Sequence, residues 1–184
     1  KSKEQFMGTD TSTSDEFEEN LEPESPKKLE PAYDKPDIPT LPPNILLLFI
    51  IAGIVLNWLM PYPLGSSWGY LGLILVAGAI GGVYSSAQLF KKANTNVRPD
   101  QPTMCIVEDG LYRYSRNPMY LCFLIGYTGL SMLMDAPIML LLTPGLWYVL
   151  DKKIIQKEEE YLEEKFGHQY LSFKKTVPRW FWMP

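Results

Sequence analysis

The sequence predicts an all-helical integral membrane protein with about four transmembrane helices, a disordered acidic N-terminal tail and a C-terminal cytosolic helical segment. Four uncharged apolar runs lie between residues 44 and 150. They leave too little polar surface for a soluble helical bundle. The residues before them are acidic and rich in proline, and the residues after them mix charged and apolar side chains.

Residues 1–43 are predicted to be the disordered acidic tail. They hold 11 of the 21 acidic side chains and 5 of the 17 basic ones, which gives this segment a net charge of −6. Prolines are scattered along it, and it cannot bury enough apolar surface to offset the entropy of ordering. A docking peptide is the alternative. No basic cluster with interleaved aromatic residues indicates a nucleic-acid partner.

Residues 44–93 are predicted to form two transmembrane helices. Residues 45–60 are apolar on every face, although 16 residues span only about 24 Å of a hydrocarbon core of ~30 Å. Residues 68–90 are uncharged and long enough to cross. Their glycines Gly78, Gly81 and Gly82 predict close approach of a neighbouring helix.

Residues 94–184 are predicted to be one region made of a loop, a transmembrane hairpin, a helix and an interfacial segment. The apolar runs 118–134 and 137–150 are separated only by Asp135 and Ala136, which predicts a tight antiparallel hairpin. The aromatic residues Trp180, Phe181 and Trp182 close the chain and are typical of an interfacial anchor.

The distribution of basic residues predicts the orientation. The connector at residues 61–67 contains none, whereas basic side chains lie on both sides of the hairpin: Lys91, Lys92, Arg98, Arg113, Arg116, Lys152, Lys153 and Lys157. Because basic loops stay in the cytosol, both termini and the central loop are predicted to be cytosolic. Polar chemistry is therefore expected at that face.

Two polar clusters lie at this face. In residues 110–120, Asn117 and Pro118 form a helix-start signal, with the Asn capping free backbone donors. The positive helix end beside Arg113 and Arg116 suits an anionic group, or these arginines are an ordinary basic collar. In residues 151–167, a run of glutamates precedes a helix-ending glycine. The run is either a solvated face or a site for a cationic amine or a ribose diol.

A metal site is not predicted. Cys105 and Cys122 have no neighbour at metal-ligand spacing, and the single histidine, His168, cannot complete a zinc site with them. Both cysteines are expected to be free thiols.

The order of these motifs resembles the membrane methyltransferases, which include isoprenylcysteine carboxyl methyltransferases and phospholipid N-methyltransferases. The resemblance covers about residues 94–184 and rests on DG-LYRY-SRNPMYL, two spans, EE-x-x-L-x-x-x-FG-x-x-Y and VPRW. It implies that S-adenosylmethionine binds in a cleft between the cytosolic ends of the last two spans and the C-terminal segment. The acceptor would be lipophilic and would enter from the membrane lipids.

The resemblance also implies roles for individual residues. It assigns a substrate-side catalytic role to Arg179. The acidic pair is Glu158 and Glu159, or Glu159 and Glu160 if the alignment shifts by one. The implied cofactor-binding residues are Tyr112, Arg116, Asn117, Pro118, Tyr120, Glu158, Glu159 and Tyr170. Asn117 stands where many members have histidine. Tyr114 and Trp180 could join Tyr112 and Tyr120 in favouring the sulfonium by cation–π contact.

Several functions remain open at this stage. An isoprenylcysteine-like carboxylate acceptor would pair with Arg179, whereas a phospholipid amine or a small lipophilic amine or thiol would need neutral or acidic groups. A non-catalytic membrane scaffold is the alternative from another class. A reductase related to the sterol reductases would require a nicotinamide cofactor, and no segment suits one.

Overall fold

The computed structural model describes residues 34–62 and 68–181. The predictions made for residues 1–33 and for Trp182 lie outside these ranges. All the elements in the described ranges are helices: α1 (Pro42–Leu59), α2 (Gly69–Lys92), α3 (Pro118–Leu133), α4 (Pro137–Val149), α5 (Gln156–Phe166) and α6 (His168–Thr176). A 3-10 turn occupies Gly110–Arg113, and a π-helical segment, Leu150–Ile155, joins α4 to α5. The all-helical prediction is confirmed for this part of the chain.

Two helices, α1 and α2, are long and apolar enough to cross a membrane. Most of their side chains face outward, since only 17% and 11% of their most apolar windows are buried inside the protein. Outward-facing apolar side chains on long helices suit a lipid environment. The third predicted span, α3, is apolar but shorter.

The closest helix contact joins α2 to α3. A Cβ added to Gly72 would lie 2.5 Å from the Gly129 carbonyl oxygen and 2.6 Å from the Leu133 amide nitrogen. Of the glycines predicted to make this contact, only Gly82 does so, against the Cys122 sulfur. Gly78 and Gly81 face open space, so that part of the prediction is wrong. The face of α2 that meets α3 carries Gly72 and Ala79; Gly78 lies at the edge of this face and Gly81 beyond it, so neither reaches α3.

The main core forms where α1, α3 and α4 meet. Buried side chains from α3 and α4 fill it, with Tyr127, Met139 and Leu146 among the least exposed in the described ranges. The Tyr127 hydroxyl donates a hydrogen bond of 3.2 Å to the Phe49 carbonyl, which links α3 to α1. This contact lets a buried phenol satisfy its polar atom between apolar helices.

The α3–α4 hairpin is confirmed. Asp135 adopts a positive φ of 52°, and the Ser131 hydroxyl donates to the Ala136 carbonyl at 2.7 Å. The predicted helix stop at Gly167 is also confirmed, because α5 ends at Phe166 and Gly167 has a φ of 50°. These two turns bring the end of α6 back against the start of α3.

Residues 34–41 correct the prediction of a disordered tail that extends to residue 43. Helix α1 already begins at Pro42, and the residues before it contact the rest of the protein. Pro36 is buried, Ile38 packs against the main core, and Asp34 pairs with Lys165. Prolines and isolated apolar residues can pack without regular structure, and the sequence pattern alone did not indicate their contacts.

Candidate functional site

A pocket lies where the start of α3, helix α5, helix α6 and the loop after α2 meet. It contains about 840 Å³ of empty space, counting the part that opens to solvent. Seven of the nine predicted site residues line it: Tyr112, Arg116, Asn117, Tyr120, Glu158, Glu159 and Tyr170. Phe90 and Phe173 add apolar walls. Residues predicted to cooperate across about 40 positions of sequence therefore share one cavity.

Helix α3 begins at Pro118, as predicted, and Asn117 is the residue before it. The Asn117 side chain does not cap the helix, which corrects the prediction. Its amide instead donates to the Arg179 carbonyl at 3.2 Å. Ser115 reinforces this connection, since its hydroxyl donates to the same carbonyl at 3.0 Å. The turn before α3 is thus tied to the C-terminal segment.

Arg116 is buried and joins three parts of the chain. Its Nη1 donates to the carbonyls of Lys174 and Val177 at 2.9 Å and 3.1 Å, and its Nη2 donates to Glu159 at 3.0 Å. Its Nε is buried and makes no hydrogen bond to the described residues. Because Arg116 lines the cavity and its Nε–H has no partner among the described residues, the guanidinium can bind an anionic group there.

Arg179 is not among the described residues that line the pocket, although it binds Glu159, which does. Its Nε and Nη2 donate to the two oxygens of Glu159 at 3.1 Å and 2.6 Å, and its Nη1 is 3.5 Å from Asp151. The hydrogen bond with Glu159 raises the pKa of Arg179 above its usual range. The Arg179 guanidinium is therefore already paired with two carboxylates, although the family resemblance assigned it to the acceptor.

Glu158 faces the pocket and has no cationic partner within the described residues. The Tyr120 hydroxyl donates to its carboxylate at 2.5 Å. Burial raises the pKa of Glu158 to about 7, and the neighbouring Glu159 charge adds to this shift while the Tyr120 hydrogen bond opposes it. A carboxylate that titrates near neutral pH in a cavity is typical of functional sites.

The two members of the acidic pair therefore differ in their environment. Glu159 is locked between two arginines, whereas Glu158 points into the cavity. Glu160 is exposed and pairs with Lys157 on the helix surface at 3.3 Å. The geometry favours the register of Glu158 and Glu159 over the shifted one.

The aromatic residues divide in the same way. Tyr112 and Tyr170 are buried at the pocket wall, and burial raises the pKa of both phenols, so their hydroxyls keep their protons. Tyr114 is exposed and Trp180 is buried in the core, and neither is among the residues that line the pocket, contrary to expectation.

The Trp180 indole donates to Asp151 at 2.9 Å, which also corrects its assignment as an interfacial anchor. Arg113 is exposed and pairs with Asp109.

Sequence reasoning missed Asp151 and the residues 34–38. Asp151 is buried and lies in the π-helical segment, where the backbone hydrogen bonds join residues five apart instead of four. A single acidic residue at the end of an apolar run was the available signal. For residues 34–38 no periodic pattern exists, so no sequence signal separated them from the tail.

The comparisons with known proteins agree with this architecture. The model of the phospholipid methyltransferase family matches residues 67–169. The protein-S-isoprenylcysteine O-methyltransferase of Schizosaccharomyces pombe is 38% identical over 74 residues, which cover 40% of this chain and 31% of that protein. The protein-S-isoprenylcysteine O-methyltransferase B of Arabidopsis thaliana is 32% identical over 73 residues, or 40% of this chain and 37% of that protein.

The match spans about a third of the length of these two relatives. The family model, in contrast, covers more than half of this chain, including the start of α3, the hairpin and α5. The chain therefore belongs to the phospholipid methyltransferase family.

Proposed function

We propose that this protein transfers a methyl group from S-adenosylmethionine to a lipid-like acceptor at the cytosolic face of a membrane. One observation carries the proposal: the residues at the start of α3 and the acidic pair on α5, Glu158 and Glu159, line a single cavity. Membership of the family supplies the reaction class. The cavity supplies a place where it could occur.

The proposed topology has four spans. Helices α1 and α2 are the first two, α3 is the third, and α4 is the fourth. The helical path of the fourth continues beyond the span through the π-helical segment, which carries Lys152 and Lys153. Basic residues flank α2 and the end of the fourth span. By the positive-inside rule, both termini and the pocket would face the cytosol.

The pocket residues fit S-adenosylmethionine. The unbonded Nε of Arg116 suits the carboxylate of its amino-acid portion, and the Glu158 carboxylate suits its ammonium group or its ribose hydroxyls. The phenols of Tyr112 and Tyr120 offer faces or hydroxyls to a cationic centre. Acidic, basic and aromatic groups in one cavity match a ligand that is itself zwitterionic and cationic.

Each residue would act by binding and positioning. When bound, S-adenosylmethionine supplies the methyl group and the sulfur leaving group. Arg116 and Glu158 would fix its charged end, and the buried Tyr170 would close the wall. Pro118 and Asn117 would set the angle at which α3 enters the pocket. Alignment and exclusion of water are the main requirements for such a displacement.

A second cavity supports a lipophilic acceptor. It is a groove between α2, α3 and α4 with about 1300 Å³ of empty space, counting the open part. Its walls are almost entirely apolar: Leu75, Leu121, Leu124, Ile125, Thr128, Thr143, Pro144, Trp147 and Phe181. Phe181 lies two residues after Arg179, whose carbonyl binds Asn117 of the first pocket. A lipid chain in the groove would bring its polar end towards the methyl donor.

The relatives favour a carboxylate acceptor, since both are named as isoprenylcysteine O-methyltransferases. A specific observation favours the alternative, an amine or a thiol. Arg179 is already paired with Glu159 and Asp151, so the residue expected to receive a carboxylate acceptor has its charge compensated. Glu158, which would already contact the cofactor, adds negative charge to the pocket and disfavours a further carboxylate there.

Cofactor binding is the first test. Purified full-length protein in detergent is heated with and without S-adenosylhomocysteine, and its melting temperature should rise when the ligand is present. The variant Glu158→Gln should lose most of this rise, whereas Glu160→Gln, which changes an exposed neighbour, should keep it. If the parent protein shows no rise at saturating ligand, the scaffold hypothesis replaces the enzyme.

The acceptor is tested separately. Protein in lipid nanodiscs is incubated with methyl-labelled S-adenosylmethionine and three lipophilic acceptors that present a carboxylate, an amine or a thiol. Label on the carboxylate alone supports the isoprenylcysteine-like function. Label on the amine or the thiol supports the alternative that the position of Glu158 favours.

A further inference from the structure

The segment that precedes the first helix forms part of the pocket wall. Residues 34–38, here called the strap, contribute one side chain to the pocket lining. Pro36 is buried and lines the cavity. Ile38 packs against the main core, and Asp34 contacts α5. The strap is thus attached at both ends with its buried proline against the cavity.

The attachment at Asp34 is specific. Its carboxylate pairs with the Lys165 ammonium and accepts a hydrogen bond of 2.8 Å from the Tyr161 hydroxyl. Lys165 is buried, with 8% of its side chain exposed, and Asp34 has 21% exposed. Burial opposes the charge on Asp34, but the hydrogen bonds from Lys165 and Tyr161 outweigh it and lower the pKa of this carboxyl. The pair therefore stays charged at neutral pH.

The Tyr161 hydroxyl also holds a second wall. It accepts a hydrogen bond of 3.1 Å from the Thr103 amide and another of 3.1 Å from the Lys165 ammonium. With its own proton donated to Asp34, this hydroxyl uses its one donor and both acceptor positions. Thr103 belongs to the loop after α2, which also lines the pocket. One phenol thus ties the strap and the loop together.

The remaining walls are held more firmly. The start of α3 and helix α5 are joined by the buried ion pair of Arg116 with Glu159, and α6 is joined to them through the Arg116 bonds to backbone carbonyls. The strap and the loop are irregular segments, and breaking the contacts of one carboxylate would release the Asp34 end of the strap. Segments of this kind are the ones that move when ligands enter and leave.

We propose that the strap is a latched wall of the cofactor pocket, and that the bonds from Asp34 to Lys165 and Tyr161 control the entry and release of the nucleoside-bearing cofactor. This inference rests on the proposed function, because it takes the pocket to be the cofactor site. It concerns a segment that lies before the residues matched by the family model, which begin at residue 67. In these terms Asp34, Tyr161 and Lys165 are positioning residues.

The test measures the release of S-adenosylhomocysteine from the full-length protein in detergent, by competition with excess unlabelled ligand. Asp34→Asn should accelerate release roughly tenfold, because it removes the charge that two donors share. Tyr161→Phe keeps the ring and should accelerate release in the same direction. The matched control is Asp37→Asn, which changes an exposed acid on the same strap and should leave release unchanged.

The combination of Asp34→Asn with Tyr161→Phe separates a latch from two unrelated effects. If both residues act through one latch, the double variant should release ligand little faster than Asp34→Asn alone. Each variant is also melted without ligand, and Tyr161→Phe remains informative if Asp34→Asn does not fold. Release unchanged within twofold in folded Asp34→Asn or Tyr161→Phe would overturn the latch. No binding by the parent protein would instead overturn the proposed function.

Discussion

Arg116 and Glu159 form a buried ion pair, with 3.0 Å between Nη2 and Oε1, across 43 positions of sequence. Only 3% and 5% of their side chains are exposed. The second oxygen of Glu159 binds Arg179, and Nη1 of Arg116 donates to the carbonyls of Lys174 and Val177. One carboxylate therefore joins the start of α3, helix α5 and the end of the chain.

Glu159→Gln should destabilise the protein strongly. The change leaves Arg116 buried beside a neutral amide, and breaking a buried ion pair costs roughly 3–5 kcal/mol. Thermal or denaturant unfolding in detergent measures the loss. Glu160→Gln on the exposed side of the same helix is the control and should change stability by less than about 0.5 kcal/mol.

The same change at Glu158 should behave differently. Glu158→Gln is expected to keep the fold and lose cofactor binding, because this carboxylate faces the cavity and, within the described part of the chain, is held by the Tyr120 hydroxyl alone. If Glu159→Gln melts like the parent protein, the ion pair does not hold the pocket together. The acidic pair would then have to be assigned again.

The raised pKa of Glu158 predicts how the free energy of unfolding depends on pH. Its pKa is about 7 in the folded protein, above its ordinary value of 4.5, because burial disfavours the charged form. Between these values the folded state binds more protons than the unfolded state. The free energy of unfolding therefore falls as the pH rises through this window, and the loss is complete above about pH 7.

The measurement is the melting temperature without ligand between about pH 5 and about pH 8. Glu158→Gln should flatten this dependence, whereas Glu160→Gln should keep the slope of the parent protein. A slope that is the same in Glu158→Gln and in the parent would assign the titration to another group.

The helices were predictable, because apolar runs and helix-end signals are local. The four runs predicted α1 to α4 to within a few residues, and Gly167 ended α5 as expected. These features depend on residue types that a short window of sequence contains. The resemblance to the membrane methyltransferases, and not a local pattern, placed Tyr120 and Glu158 at one site, and they lie in hydrogen-bond contact.

The partners of the charged residues were not predictable. Arg179 and Glu159 were assigned to different ligands, yet they bind each other, because two neighbouring motifs contribute opposite charges to one buried space. The strap was missed for a related reason: a single carboxylate at Asp34 is fixed by residues more than 120 positions away. Long-range pairing of this kind has no local pattern.

The α2–α3 contact predicts the effect of a single methyl group. Gly72→Ala would place a Cβ 2.5 Å from a backbone carbonyl, so the helices must separate, and the cost should be about 1–3 kcal/mol. Gly78→Ala on the same helix adds a methyl group in open space and gains helix propensity, so it should be neutral or slightly stabilising. Melting temperatures in detergent compare the two. Equal effects would mean that α2 and α3 do not approach at Gly72.

The bond between Trp180 and Asp151 predicts unequal costs for its two partners. Trp180→Phe removes the indole donor at 2.9 Å and leaves a space in the core, so the cost should exceed about 2 kcal/mol. Asp151→Asn keeps an oxygen that can accept from the indole and removes a buried charge whose bond to Arg179 is long, at 3.5 Å. Its cost should be the smaller of the two when both variants are melted under the same conditions. If Asp151→Asn is instead the more damaging, the ion pair with Arg179 is the main interaction of this carboxylate, and Arg179 would then depend on Asp151 as well as on Glu159 for its position.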